Sequence, residues 1–209
     1  MEYFADILRR LSEADGDLLL IINGQHSAFA DAFFWTMSEK WIWVPLYIAL
    51  ATLLIYRLGM KRGMLALFLA GALIAATDQT CAALIRPVVG RLRPSSPDNP
   101  LSAAVTIVNG YRGGNYGFPS CHAANTAALA VFLSLIFRRR YATATLAMWA
   151  FTVSYSRIYL GVHYPGDVMA GWGIGIFYAL LFYLPLQKAN RVPTDASCGT
   201  AWAKDRSPS

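Results

Sequence analysis

His163 and Asp167 stand four residues apart in the stretch Ser156-Arg157-Ile158-Tyr159-Leu160-Gly161-Val162-His163-Tyr164-Pro165-Gly166-Asp167. Pro165 suits the first position of a helix and Gly166 permits a tight turn. A carboxylate in that first turn reaches back to the imidazole just ahead of it. Such a contact fixes one ring tautomer and leaves the other nitrogen free as a nucleophile or base. An isolated His–Asp pair near a helix cap also arises for structural reasons alone, so the neighbours have to decide. Pro119-Ser120-Cys121-His122 opens a second helix with Ser120 as N-cap. The free N–H groups of that first turn, together with the helix dipole, make an anion site. Arg86, Arg93 and Arg157 add planar guanidiniums, each able to grip two oxygens at once, which points to phosphate. Arginines anchoring to lipid headgroups are the simpler reading. It leaves unexplained two histidines, each at a helix start, with an aspartate in register.

Helices have to bring these groups together, and the charge pattern says what kind. The chain has 209 residues, 56% hydrophobic and 14% charged, against about 25% charged in an ordinary soluble domain. This excludes a disordered chain and argues against a soluble globule. Five runs nearly free of charge reach or approach, with their flanks, the roughly 20 residues that cross a bilayer, and lipid leaves helices as their only form. The spans read as 40–58, 63–85, 122–138, 141–160 and 166–186. Residues 1–37, with an amphipathic Tyr3–Leu11 and apolar Leu18–Ile22, read as interfacial helices, a short sixth span being the alternative. No secretory signal peptide is visible. The fold expected is all-α: a polytopic membrane helix bundle of five or six transmembrane helices with interfacial N-terminal helices. Its core is 38–187 with an external loop at 86–121, followed by a flexible cytoplasmic tail at 188–209.

Arg57, Lys61 and Arg62, then Arg138, Arg139 and Arg140, then Lys188 and Arg191 all fall on one side, which is therefore cytoplasmic. The opposite side carries 86–121 and 157–167, and with them Arg86, Arg93, His122, Arg157 and His163. Much of the +6 net charge is thus topological, and nucleic acid drops away as a partner. Cys81, Cys121 and Cys198 have no paired spacing, so neither a structural disulfide nor a metal cluster is expected. Asp78 is a carboxylate inside an apolar span, eight residues before Arg86 and about 12 Å away along the helix. It is expected to pair with a polar group of a neighbouring helix, helped by Gln79, and to support the arginines rather than to react. His26 reads as an interfacial histidine without chemistry.

The three stretches together resemble the type 2 phosphatidic acid phosphatase (PAP2) family of integral membrane lipid phosphatases. That family's first motif is Lys, six residues, Arg-Pro; here it is Arg86, six residues, Arg93-Pro94. The second is Pro-Ser-Gly-His, here Pro119-Ser120-Cys121-His122. The third is Ser-Arg, five residues, His, three residues, Asp, here Ser156-Arg157, His163 and Asp167. All three occur in order, over roughly residues 40–186. Two departures stand out: Arg86 replaces the usual Lys, and Cys121 replaces the usual Gly, adding a candidate oxidisable thiol.

The resemblance implies the roles. His163 attacks phosphorus and becomes a phosphohistidine. Asp167 orients it. His122 protonates the leaving oxygen and then activates water. Arg86, Arg93, Arg157, Ser120 and the N–H groups of Cys121 and His122 hold the phosphoryl oxygens. No metal or other cofactor is implied, since the arginines supply the positive charge. The partners expected are a lipid phosphate substrate and membrane lipids, the oligomeric state being open. The site faces the periplasm of a bacterial inner membrane. Undecaprenyl diphosphate, cleaved to the monophosphate, is the first choice of substrate. Phosphatidylglycerophosphate, phosphatidic acid and the lipid A phosphates are its alternatives. The loop 95–117 shapes headgroup choice, with Val108 to Gly114 as a tight turn from which Arg112 adds a phosphate contact. A lipid phosphotransferase shares the same phosphohistidine, and a lipid transporter lies outside the enzyme class.

Overall fold

The computed structural model describes residues 2–191, and the tail expected at 188–209 lies outside the described residues beyond Arg191. Apolar runs give the backbone no partner but itself, and helices follow: α1 (Glu2–Asn23), α2 (Ala28–Ser38), α3 (Val44–Leu58), α4 (Met60–Gln79), α5 (Arg86–Val89), α6 (Cys121–Phe137), α7 (Arg140–Tyr159) and α8 (Pro165–Arg191). The only β pairing among the described residues is a single bridge between Leu92 and Tyr116. Three helical stretches are long and apolar enough to cross a membrane: Lys40–Leu58, Met60–Val89 and Pro165–Lys188. The runs at 122–138 and 141–160 become α6 and α7. α6 sits at the centre against α4, α7 and α8, whereas α7 leaves Tyr141, Met148 and Phe151 exposed along its outer face. In α6, Ala123, Ala124, Ala128 and Phe132 are wholly buried. A helix enclosed by other helices meets little lipid, so its own length and hydropathy are less constrained.

Small residues let α8 approach α6 closely. A Cβ on Gly171 would lie 2.5 Å from the Ser120 carbonyl oxygen, and one on Gly175 would lie 2.3 Å from that of Ala124. Gly171 and Gly175 form the small-xxx-small spacing that brings membrane helices together. Gly175→Ala is therefore expected to cost about 1–3 kcal/mol through backbone displacement, whereas Gly173→Ala, with nothing within 4 Å, is neutral. Equal melting temperatures of the two variants in detergent would contradict this packing.

α4 runs into α5 through a π-helical turn, Thr80–Ile85, in which the Arg86 N–H bonds to the Cys81 carbonyl five residues back. Pro87 has no N–H and crowds the preceding turn, and the wider turn accommodates it. α1 is one continuous helix reaching well past the amphipathic Tyr3–Leu11. At its end the buried Asn23 side chain donates to the carbonyls of Tyr159 (2.8 Å) and Thr106 (3.0 Å). Asp31 of α2 accepts from His26 and from the Tyr159 hydroxyl, both at 2.6 Å, so Asp31 ties α2 to α7 and His26 braces it. The loop after α5 folds over this same end of the bundle.

Candidate active site

Ser120 caps α6, its hydroxyl accepting from the Ala123 N–H at 3.5 Å. Its own N–H donates to the Asp167 carbonyl at 3.0 Å, so the start of α6 is fastened to the first turn of α8. The N–H groups of Cys121 and His122, in the first turn of α6, have no partner within the helix. Helix α8 begins at Pro165, and the Asp167 carboxylate does reach back: Oδ2 accepts from the Tyr164 N–H at 3.0 Å and faces His163 Nδ1 at 3.4 Å. Gly161 makes the turn between α7 and α8 with a φ of +69°, where a side chain would be strained.

The His163 tautomer follows from its other contact. Arg93 Nη1 lies 3.0 Å from Nε2. A guanidinium only donates, so Nε2 accepts and the proton resides on Nδ1, facing Asp167. Burial, followed by the charges of Arg93, Arg157 and Arg86, holds the His163 imidazole well below its ordinary 6.5. It is neutral near pH 7, with the Nε2 lone pair directed at Arg93. Burial and the same repulsion from Arg157 and Arg86 bring Arg93 down to about 10, still protonated. Arg93 is further held by donating to the carbonyls of Tyr116 (3.1 Å) and Val162 (3.0 Å).

Arg86, Arg93, Cys121, His122, Arg157 and His163 line one cavity of about 930 Å³. Arg157 is 2% exposed; it donates to the Ser38 hydroxyl and, at 3.3 Å, to the Tyr111 hydroxyl, and its guanidinium also lies over the Tyr111 ring. The Nε atoms of Arg86 and Arg157 are buried with no partner. Buried donors without acceptors call for an explanation, and three arginines forced together need an anion between them. The two departures from the PAP2 pattern touch each other: Arg86 donates to Cys121 Sγ at 2.8 Å and to the Pro119 carbonyl at 3.2 Å. The extra thiol thus anchors the larger guanidinium.

Ser120 and Asp167 are fully buried just behind the cavity wall. Asp78 lines the cavity and accepts from Asn125 of α6 at 3.1 Å, which supplies the neighbouring-helix partner expected for it. Arg112 is turned away: its guanidinium donates to the Ser95 carbonyl at 2.8 Å, and it does not line the cavity. Lys40, Ser38 and Tyr111 also line the cavity; they lie outside the three motifs, and nothing in their spacing marks them. Arg91 was a spacer inside the first motif, yet it binds Asp167 Oδ1 at 2.8 Å. Among the described residues no group of three or more His, Cys, Asp or Glu is placed to hold a metal.

The sequence pattern of the PAP2 superfamily matches residues 63–191. The chain is 48% identical over 178 residues to a lipid A 4′-phosphatase of Bacteroides thetaiotaomicron, covering 85% of this chain and 79% of that protein. It is 35% identical over 201 residues to a lipid A 4′-phosphatase of Porphyromonas gingivalis, covering 95% and 80%. A more distant relative, an undecaprenyl-diphosphatase of Sulfolobus acidocaldarius, is 30% identical over 174 residues, covering 79% and 75%. Among solved structures, the transmembrane PAP2 type phosphatidylglycerolphosphate phosphatase from Bacillus subtilis shares the fold, with a TM-score of 0.66, 20% identity and coverage of 87% and 89%.

Proposed function

The chain belongs to the PAP2 superfamily of membrane lipid phosphatases, and on that premise we propose that it removes the 4′-phosphate of lipid A at the periplasmic face of a bacterial inner membrane. Undecaprenyl diphosphate, the first choice on sequence, gives way to what was its alternative, because the more similar relatives are lipid A 4′-phosphatases. The observation that carries the lipid phosphate reading is the two-sided cavity, and the choice of lipid rests on the relatives. Its basic end holds the arginines and histidines; its other end is apolar, with Leu50, Leu54, Leu67, Leu133 and Val153. Leu133 lies eleven residues beyond His122 on α6, about 16 Å deeper into the bilayer. One chamber thus takes a phosphorylated headgroup and the acyl chains below it. The clusters Arg57/Lys61/Arg62 and Arg138–Arg140 lie at the opposite helix ends, which supports a periplasmic site.

The chemistry follows from the geometry. Arriving phosphate takes the guanidiniums of Arg86, Arg93 and Arg157, along with the N–H groups of Cys121 and His122. Arg93 thereby releases His163 Nε2, whose lone pair attacks phosphorus in line. The bond from phosphorus to the sugar oxygen breaks, and His122, charged by a proton that the incoming phosphate monoester brings, gives that oxygen its proton. Asp167 holds the Nδ1 proton and stabilises the phosphorylated imidazole. Water then attacks phosphorus as His122 takes its proton, and inorganic phosphate leaves a neutral His163. Charge spread over the phosphoryl oxygens is met by fixed donors, where most of the rate enhancement arises.

The test is phosphate release in detergent, with chelator present, from lipid A carrying only the 4′-phosphate or only the 1-phosphate, from undecaprenyl diphosphate, and from phosphatidylglycerophosphate, with and without alcohol acceptors. Release from the 4′-phosphate ahead of the others is expected. Preference for undecaprenyl diphosphate, transfer to the acceptor in place of release, or strict dependence on metal would each overturn this reading.

A further inference from the structure

A second layer of charge lies behind His163, beyond the groups assigned to catalysis. Asp167 is fully buried, and a carboxylate in that position is tolerated only when its oxygens are satisfied. Its Oδ1 accepts from Arg91 Nη1 at 2.8 Å. The other amino group of Arg91 donates to Asp15 Oδ2 at 2.7 Å, and the guanidinium lies 3.8 Å over the centre of the Tyr164 ring. Asp15 Oδ1 in turn accepts from the Gly166 N–H at 2.8 Å. Asp15 therefore grips the first turn of α8 twice, directly and through Arg91. It belongs to α1, outside the residues 63–191 that match the superfamily.

The distances rank what aims the carboxylate. The contact with His163 is the longest that Asp167 makes, at 3.4 Å, while Arg91 (2.8 Å) and the Tyr164 N–H (3.0 Å) are shorter. The plane of the carboxylate is thus set from behind, and Oδ2 is presented to the imidazole as a consequence. Asp15 also offsets the charge of Arg91: two carboxylates and one guanidinium leave the cluster net negative, facing the cationic imidazole formed on phosphoryl transfer. We propose that Arg91 and Asp15 are positioning residues for the nucleophile, so that helix α1 is part of the catalytic apparatus rather than only a peripheral anchor. This rests on His163 being the nucleophile. The competing possibility is a bridge that merely fastens α1 to the bundle, and the kinetics separate the two.

The experiment compares the full chain with Arg91→Gln, Arg91→Lys, Asp15→Asn and the double variant Asp15→Asn/Arg91→Gln, with His163→Ala alongside. Steady-state hydrolysis of lipid A, single-turnover phosphoenzyme formation and melting temperature are measured in detergent. Because small misplacements of reacting groups are costly, Arg91→Gln is expected to lower kcat by about 100-fold. The rate of phosphoenzyme formation should fall by the same factor, with KM within about threefold of wild type. Arg91→Lys should recover only part of this, as a point charge serves one carboxylate better than two. Asp15→Asn, nearly isosteric, should cost about tenfold in kcat and nothing further in the Arg91→Gln background. A lowered melting temperature with kcat within threefold of wild type in both single variants would overturn the proposal in favour of a fastening role. If Arg91→Gln fails to fold, Asp15→Asn decides by the same criterion. Full activity in His163→Ala would remove the nucleophile assignment itself and the proposal with it. Loss of activity in His163→Ala alone would remove only the proposal.

Discussion

His163→Ala is expected to abolish lipid phosphate hydrolysis, with turnover reduced on the order of 10⁴-fold or more and no radiolabelled phosphate retained on the protein. The reason lies in how completely the site is arranged around one atom. His163 is 1% exposed, neutral because burial and three arginines depress its protonation, and held so that Nε2 is its unprotonated nitrogen. No other nucleophilic side chain at the basic end of the cavity has an aspartate in register. The cysteine there, Cys121, already accepts a hydrogen bond from Arg86 at 2.8 Å. A variant that still released phosphate at the wild-type rate would mean that water is activated directly, and the phosphohistidine mechanism would be wrong. Folding is checked by the melting temperature, since removing a buried neutral ring leaves the surrounding arginines in place.

The second large effect concerns His122. It lines the same cavity as His163, and no protein group among the described residues hydrogen-bonds its ring, so both nitrogens are free to move protons. In His122→Ala the sugar oxygen leaves without a proton and water attacks without a base. Turnover on lipid A should fall about 10²- to 10⁴-fold. An activated aryl phosphate, whose leaving group needs no proton, separates the two steps. With it the first step should proceed and the second should stall. The expected record is a burst of one aryl alcohol per enzyme, with labelled phosphate trapped on His163. Steady release without a burst, and no trapped label, would place the general acid and base elsewhere.

These two predictions draw on the part of the site that was legible in the linear sequence. Ser120 as N-cap, Pro165 as helix start and Asp167 reaching back toward His163 are contacts over three or four residues, which helix geometry dictates with little help from the rest of the chain. The uncharged runs became helices for an equally local reason, as did the separation of basic clusters from the site. Asp78 was legible as a paired carboxylate, but not that Asn125 would be its partner. The unbroken course of α1 was obscured by Asp15, Gly16 and Asp17, which interrupt its apolar pattern. The π-helical turn before Arg86 gave no signal beyond Pro87.

What the sequence by itself determined, then, is a membrane-embedded bundle with basic clusters at one end and, at the other, the three motifs that carry the candidate site. Tertiary structure decided which cations reach the cavity and which groups hold them there. It turned Arg112 away onto Ser95, brought Ser38 and Tyr111 to Arg157, joined Arg86 to Cys121, and set Asp15 against Arg91 across 76 residues of chain. Contacts of that kind depend on how closely whole helices approach. Here the approach is governed by such features as the glycines at 171 and 175, and spacing along the chain carries no record of it.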